Sequence, residues 1–191
     1  MTGAVVYSTT YILQLQEMLL RIEATTPDGQ LPYPEGVERA VRMVKETHAA
    51  GGKLLFIGNG ASAAISSHQA ADFIRAAGVP AFAFNDAPLI TCLGNDLGFE
   101  RVFEVPVGLV GKPGDLLIAI SSSGASPNIL RGADRGREVG CRLLTLSGFK
   151  ADNPLRAKGD LSFWVPTMSY GKVEVIHLAI LHCICDCVAG R

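Results

Sequence analysis

Charge of either sign is nearly cancelled in this chain: 17 Lys and Arg stand against 18 Asp and Glu, a formal charge of -1 over 191 residues. That balance gives no electrostatic reason to expect DNA, RNA or an anionic membrane surface as a partner. Although 48% of the residues are hydrophobic, no uninterrupted apolar run reaches the roughly 18 residues of a membrane span. The start carries no basic flank, apolar run and cleavage pattern in sequence, so no secretory signal is expected. The five cysteines, Cys92, Cys141, Cys183, Cys185 and Cys187, are odd in number and set in apolar surroundings. They read as reduced thiols of a cytoplasmic protein rather than a disulfide framework. On a helix, Cys183, Cys185 and Cys187 point in different directions, which argues against a thiolate metal site.

Nucleotide signatures are missing too. Gly58-Asn59-Gly60-Ala61-Ser62 lacks the Gly-x-Gly-x-x-Gly pattern, and no Walker lysine follows a phosphate loop, so no nucleotide cofactor is expected. The chain also shows no internal repeat, long linker or low-complexity tail.

What is present is an alternation of apolar runs and helical patterns. Ile12, Leu15, Met18, Leu19 and Ile22 form a periodic stripe that predicts a first helix from about Val6 to Ala24. Pro27, Gly29, Pro32 and Pro34 interrupt it, and a second helix follows from Pro34 to Ala49. The two together read as a helical arm over residues 1–50, built for oligomerisation. Residues 51–191 then carry five strand candidates: Lys53–Ile57, Ala81–Phe84, Leu116–Ile120, Arg142–Leu146 and Leu161–Val165. Helical connections between them predict a three-layer α/β/α sandwich around a five-stranded parallel sheet. Gly94-Asn95-Asp96-Leu97-Gly98 reads as a tight polar break, and a final helix runs from about Tyr170 to Val188.

Three polar clusters interrupt this apolar pattern. They are Gly58 to Ser62, Asn95-Asp96, and Ser121-Ser122-Ser123-Gly124-Ala125-Ser126. Each follows or lies near the end of an apolar run, so a parallel sheet would gather them at one edge. In the first, Gly58 and Gly60 permit a close turn, amides opening the next helix can face an anion, and Asn59 and Ser62 add side-chain partners. In the serine-rich third cluster, Ser121, Ser122, Ser123 and Ser126 can satisfy phosphate oxygens together with backbone amides. Helix capping and a polar turn are the competing structural reading of both.

Four more groups lie at helical spacing. His68 and Asp72 are one turn apart, and Glu174 and His182 two turns apart. If their helices meet, two imidazoles and two carboxylates can transfer protons, hold a divalent metal, or simply form a buried hydrogen-bond network. His177 projects differently from His182 and reads as a core or interface histidine, and His48 as a helix C-terminal residue.

In their order, Gly58 to Ser62, His68 with Asp72, Gly94 to Phe99, Ser121 to Ser126 and the closing segment through His182 resemble the sugar isomerase (SIS) domain family. Within it, the bacterial phosphoheptose isomerases are the most similar branch. The resemblance implies interconversion of sedoheptulose 7-phosphate and D-glycero-D-manno-heptose 7-phosphate through an enediol, in a homotetramer with sites shared between subunits. It implies that Asn59, Gly60, Ser62, Asn95, Asp96, Ser121, Ser122, Ser123, Ser126 and Glu174 bind substrate. It also implies that Asp72 and His182 are catalytic, and that His68, Asp72, Glu174 and His182 can hold zinc. Asp72 and Glu174 stand where relatives usually carry glutamate and glutamine, and Ala61 replaces the usual second glycine of the turn. Two other readings remain open by resemblance. Leu181 to Asp186 is similar to a non-catalytic branch that binds a bacterial replication initiator, and other isomerases of the fold act on different long-chain sugar phosphates.

Overall fold

The computed structural model describes residues 3–191. One sheet of seven strands organises it. Five of them are parallel: β3 (Leu54–Gly58), β4 (Ala81–Ala83), β5 (Leu116–Ser121), β6 (Arg142–Ser147) and β7 (Leu161–Trp164). Two more, β1 (Glu23–Thr26) and β2 (Gly29–Leu31), add an antiparallel hairpin to β7, giving the order β2-β1-β7-β6-β5-β3-β4. The expected purely parallel five-stranded sheet is therefore corrected to a mixed seven-stranded one.

The hairpin occupies the proline- and glycine-rich stretch that sequence reading assigned only to an interruption, and it shortens the first helix to α1 (Gly3–Leu19). Its physical basis is local. The Thr26 hydroxyl donates to the Gly29 carbonyl and accepts from the Asp28 amide, and Gly29 turns at φ 135°. Strands of four and three residues are too short to show a periodicity of their own. Their pairing is decided by the open edge of β7, whose Trp164, Phe163 and Ser162 lie opposite Glu23, Ala24 and Thr25.

Strict alternation along the central strands separates two cores. Leu54, Phe56, Leu116, Ile118, Ile120, Leu144 and Leu146 meet α2 (Tyr33–Ala49), α3 (Ala61–Ala77) and α7 (Tyr170–Ala189). Leu55, Ile57, Leu117, Ala119 and Leu143 face Phe103, Val107, Ile129 and Ala133 on the opposite side. That second layer is built from α4 (Ala87–Leu97), α5 (Glu104–Val110) and α6 (Pro127–Glu138). Strands buried on both faces carry no polar alternation, which is why each reads as a continuous apolar run. By contrast, α1 buries none of its side chains and leaves Val5, Val6, Tyr7, Ile12 and Leu13 exposed.

Where α2 crosses the hairpin, the approach is close enough to require a bare backbone. A Cβ placed on Gly36 would lie 2.5 Å from the Ala24 Cβ and 3.1 Å from the Phe163 ring. Gly36→Val is expected to lower stability by about 1–3 kcal/mol through overpacking. Urea denaturation checks this; a midpoint equal to that of the unaltered protein would show that α2 is not seated on β1 and β7 as described.

Candidate active site

The ends of β3 and β5 deliver two of the polar clusters to one cavity of about 240 Å³. Asn59, Gly60, Ala61 and Ser62 line one side, and Ser121, Ser122, Ser123 and Ser126 another. Tyr170 and Glu174, one turn apart on α7, complete it. Among the described residues no lysine or arginine lines this cavity.

Local packing explains why the clusters hold their shape. A Cβ on Gly58 would lie 2.5 Å from the Ser62 carbonyl oxygen, so the turn into α3 closes only around a glycine. Asn59 and Asn128 exchange reciprocal amide hydrogen bonds of 2.9 Å, tying the start of α3 to the start of α6. Asn128 is buried and also accepts from the Ile129 amide. Within the serine loop, the Ser121 hydroxyl accepts from the Gly124 amide at 3.2 Å and lies 3.3 Å from the Ser126 hydroxyl. Gly124, at φ 62°, has no room for a Cβ beside Asn153.

Capping does not consume these hydroxyls. Ser126 is the N-cap residue of α6 yet makes no side-chain bond to the helix amides, and Gly60, not Ser62, caps α3. The loops therefore present hydroxyls and helix-opening amides to the same space, an arrangement suited to an oxyanion.

Farther along the parallel helices α3 and α7 lies a second group. One carboxylate oxygen of Asp72, Oδ2, is 3.3 Å from His68 Nε2 and 3.5 Å from His182 Nδ1. The two imidazole rings meet edge-on with centroids 5.2 Å apart. Arg75 reaches the other oxygen of Asp72 at 3.4 Å. The shorter aspartate thus touches both imidazoles within a single chain. Ligand atoms of His68, Asp72 and His182 all lie within 4.8 Å of one another, and this cluster can coordinate a metal ion. Two imidazoles and a carboxylate are a donor set used at catalytic zinc centres.

The structure sorts the expected residues into three places. Asn59, Gly60, Ser62, Ser121, Ser122, Ser123, Ser126 and Glu174 share the cavity, while His68, Asp72 and His182 share the cluster. Glu174 is not part of that three-residue metal group. Asn95 and Asp96 belong to neither group within this chain. They sit in the last turn of α4, exposed, with the Asn95 amide donating to Asp96 at 2.8 Å. Glycine at 94 and 98 signalled a break, but α4 continues through Gly94 and ends only at Gly98. Sequence reading missed Tyr170 and the Asn59–Asn128 pair as parts of the site. The spacing of Tyr170 from Glu174 was the available signal.

A larger cavity of about 540 Å³ opens beside Thr25, Thr26, Pro27 and Arg156. The Arg156 guanidinium there is occupied by Glu23 at 2.8 Å and by the Trp164 ring. The smaller cavity, with its serine hydroxyls, is the chemically equipped one.

Residues 11–148 match the SIS domain family. The chain belongs to that family. It is 36% identical to a phosphoheptose isomerase of Trichlorobacter lovleyi over 181 residues, covering 92% of this chain and 90% of that protein. A phosphoheptose isomerase of a Roseiflexus species is 32% identical over 186 residues, covering 94% and 92%. Among solved structures, a phosphoheptose isomerase from Francisella tularensis superposes with a TM-score of 0.85 at 25% identity, covering both chains fully. That from Neisseria gonorrhoeae gives 0.84 at 26%, covering 97% of each. Membership is thus of the phosphoheptose-isomerase-like kind.

Two histidines stand outside the site, His48 in the last turn of α2 and His177. His177 is fully buried on α7, its Nε2–H donating to the Ser147 carbonyl at 3.1 Å and its Nδ1 without a partner. Burial disfavours the imidazolium and pushes its pKa down from 6.5 to about 4. The unfolded chain binds that proton first, so the contribution is fully present above pH 6.5 and is lost as pH falls through 4. Stability is expected to drop by about 3 kcal/mol across that window. His177→Gln should flatten this part of a pH series of urea melts; an unchanged slope would remove His177 as its source.

Proposed function

We propose that this protein is a phosphoheptose isomerase that interconverts a ketoheptose phosphate and its aldose isomer, acting on sedoheptulose 7-phosphate and D-glycero-D-manno-heptose 7-phosphate. The observation that carries the reading is Asp72 Oδ2 set between two imidazoles at one end of the α3–α7 groove, with a hydroxyl-lined cavity at the other. Glu174 and His182 are eight residues apart, about 12 Å along a helix axis. An extended seven-carbon chain with its terminal phosphate spans a comparable length. Substrate then lies along the groove, phosphate among the serines and C1–C2 beside His182.

In this placement a base removes a proton from C1 of the open-chain ketose while O2 gains one, producing the enediol. Return of a proton to C2 and loss of the O1 proton yield the aldose. Asp72 orients the His182 ring through Nδ1, leaving Nε2 to face the substrate, and the two together shuttle these protons. Serine hydroxyls and helix-opening amides hold the phosphate and keep the chain extended. A zinc ion held by His68, Asp72 and His182 would supply Lewis-acid stabilisation of developing negative charge. Asn95 and Asp96, which do not line the cavity within the chain, would reach substrate across a subunit boundary in a homotetramer. The exposed apolar side chains of α1 support such an assembly, with α1 as its arm.

A non-catalytic sugar-phosphate-binding role is the second reading, and the Arg75–Asp72 ion pair favours it because Arg75 occupies the carboxylate oxygen that the two imidazoles leave open. Incubation with sedoheptulose 7-phosphate in deuterated water separates the two. The isomerase reading expects an aldose product and deuterium at the transferred position, with His182→Asn lowering turnover by at least about 100-fold. Absence of both product and exchange in zinc-loaded and chelator-treated protein alike would leave the binding role.

A further inference from the structure

Phe149 is the only described residue other than glycine with a positive φ, 58°. A bulky L residue rarely adopts that conformation, and where it does the surroundings hold it there. Three contacts do so here. The Phe149 amide donates to the Thr167 carbonyl at 3.1 Å, and the preceding Gly148 amide donates to the Ser122 carbonyl at 3.0 Å. Gly148 itself is pressed against α7, where an added Cβ would lie 2.7 Å from Val173. The backbone after β6 is therefore fastened to the serine loop on one side and to the start of α7 on the other.

What this fixed backbone presents is the Phe149 ring, which meets Tyr170 edge-on with centroids 4.7 Å apart and planes at 79°. That is a favoured aromatic geometry. Tyr170 is 61% exposed and lines the serine cavity. It lies twelve residues before His182 on α7, about 18 Å away along the axis, at the serine end of the groove.

The cavity's charge gives the phenol a purpose. Glu174 brings a carboxylate to the lining, and no lysine or arginine lies there among the described residues to offset it. A phosphate in this space must be held by neutral donors, on the side away from Glu174. Tyr170 lines the same cavity as the serine loop and offers a neutral O–H donor from α7 itself.

We propose that Tyr170 is a phosphate-binding residue of this site and that Phe149 is its positioning residue, the strained backbone at 149 serving to hold the phenol over the cavity. The proposal rests on the sugar-phosphate reading above. In operation the Tyr170 hydroxyl donates to a phosphoryl oxygen while the serine loop binds the others. Phe149 touches no substrate.

Calorimetric titration with sedoheptulose 7-phosphate, and separately with inorganic phosphate, tests it in the unaltered protein, Tyr170→Phe, Phe149→Ala and the double variant. Losing a hydrogen bond to a charged group is expected to weaken both ligands about tenfold in Tyr170→Phe. KM should rise in step, with kcat within about twofold. Phe149→Ala should weaken binding in the unaltered background and add nothing once Tyr170 is phenylalanine. Tyr170→Phe keeps an exposed ring in place, so folding is not at stake, and thermal melts of Phe149→Ala check that variant. Unchanged affinity in Tyr170→Phe, with the unaltered protein binding both ligands, would overturn the role of Tyr170 while leaving the sugar-phosphate reading intact. Additive losses in the double variant would overturn the coupling to Phe149. Failure of the unaltered protein to bind either ligand would overturn the sugar-phosphate reading and this proposal together.

Discussion

The parallel packing of α3 against α7 is the constraint on which the rest depends. Both helices leave the same edge of the sheet and cover the same apolar face of β3, β5 and β6. Their first turns consequently flank the loops after β3 and β5, and farther along Asp72 faces His182. Asp72 and His182, 110 residues apart in sequence, come to ion-pair distance because Phe73, Ile65, Ile176, Ile180 and Ile184 are buried in one core. Removing apolar area from water contributes about 25 cal/mol per Å², and that burial, rather than the polar contacts, sets the helix spacing. The half-exposed imidazoles and Asp72 then add chemistry at little cost in stability.

The groove also explains how neutral groups can serve an anion. The serine loop is braced from below by the Gly148 and Leu155 amides, which donate to the Ser122 and Gly124 carbonyls. The Ser122 and Gly124 carbonyls are taken up by these braces, while the four serines of the loop line the cavity. Asn59 and Asn128 lock the two loops together, so both halves of the lining move as one piece. Preorganised dipoles of this kind stabilise charge without reorienting when the ligand arrives.

Sequence periodicity located the central strands because they are buried on both faces: Leu54–Gly58 falls where Lys53–Ile57 was expected, and Leu116–Ser121 where Leu116–Ile120 was. The hairpin at Glu23–Leu31 was illegible because its strands are short, partly exposed and paired only through the edge of β7. Asn95 and Asp96 were misplaced for the opposite reason. Glycine at 94 and 98 outweighed helix propensity in the reading, whereas packing of Leu89, Ile90 and Leu93 against the second core carries α4 past Gly94.

The residue types of the site and their one-turn and two-turn spacings were set by sequence alone, since helical geometry follows from local backbone preference and puts His68 with Asp72 on one face whatever surrounds them. Tertiary structure decided which faces meet. Only the docking of α7 on α3 brings His182 to Asp72 and leaves Glu174 in the hydroxyl-lined cavity rather than in the metal cluster. The physical reason is that spacing along a chain specifies direction on one element, whereas distance between elements is set by the apolar surfaces they bury together.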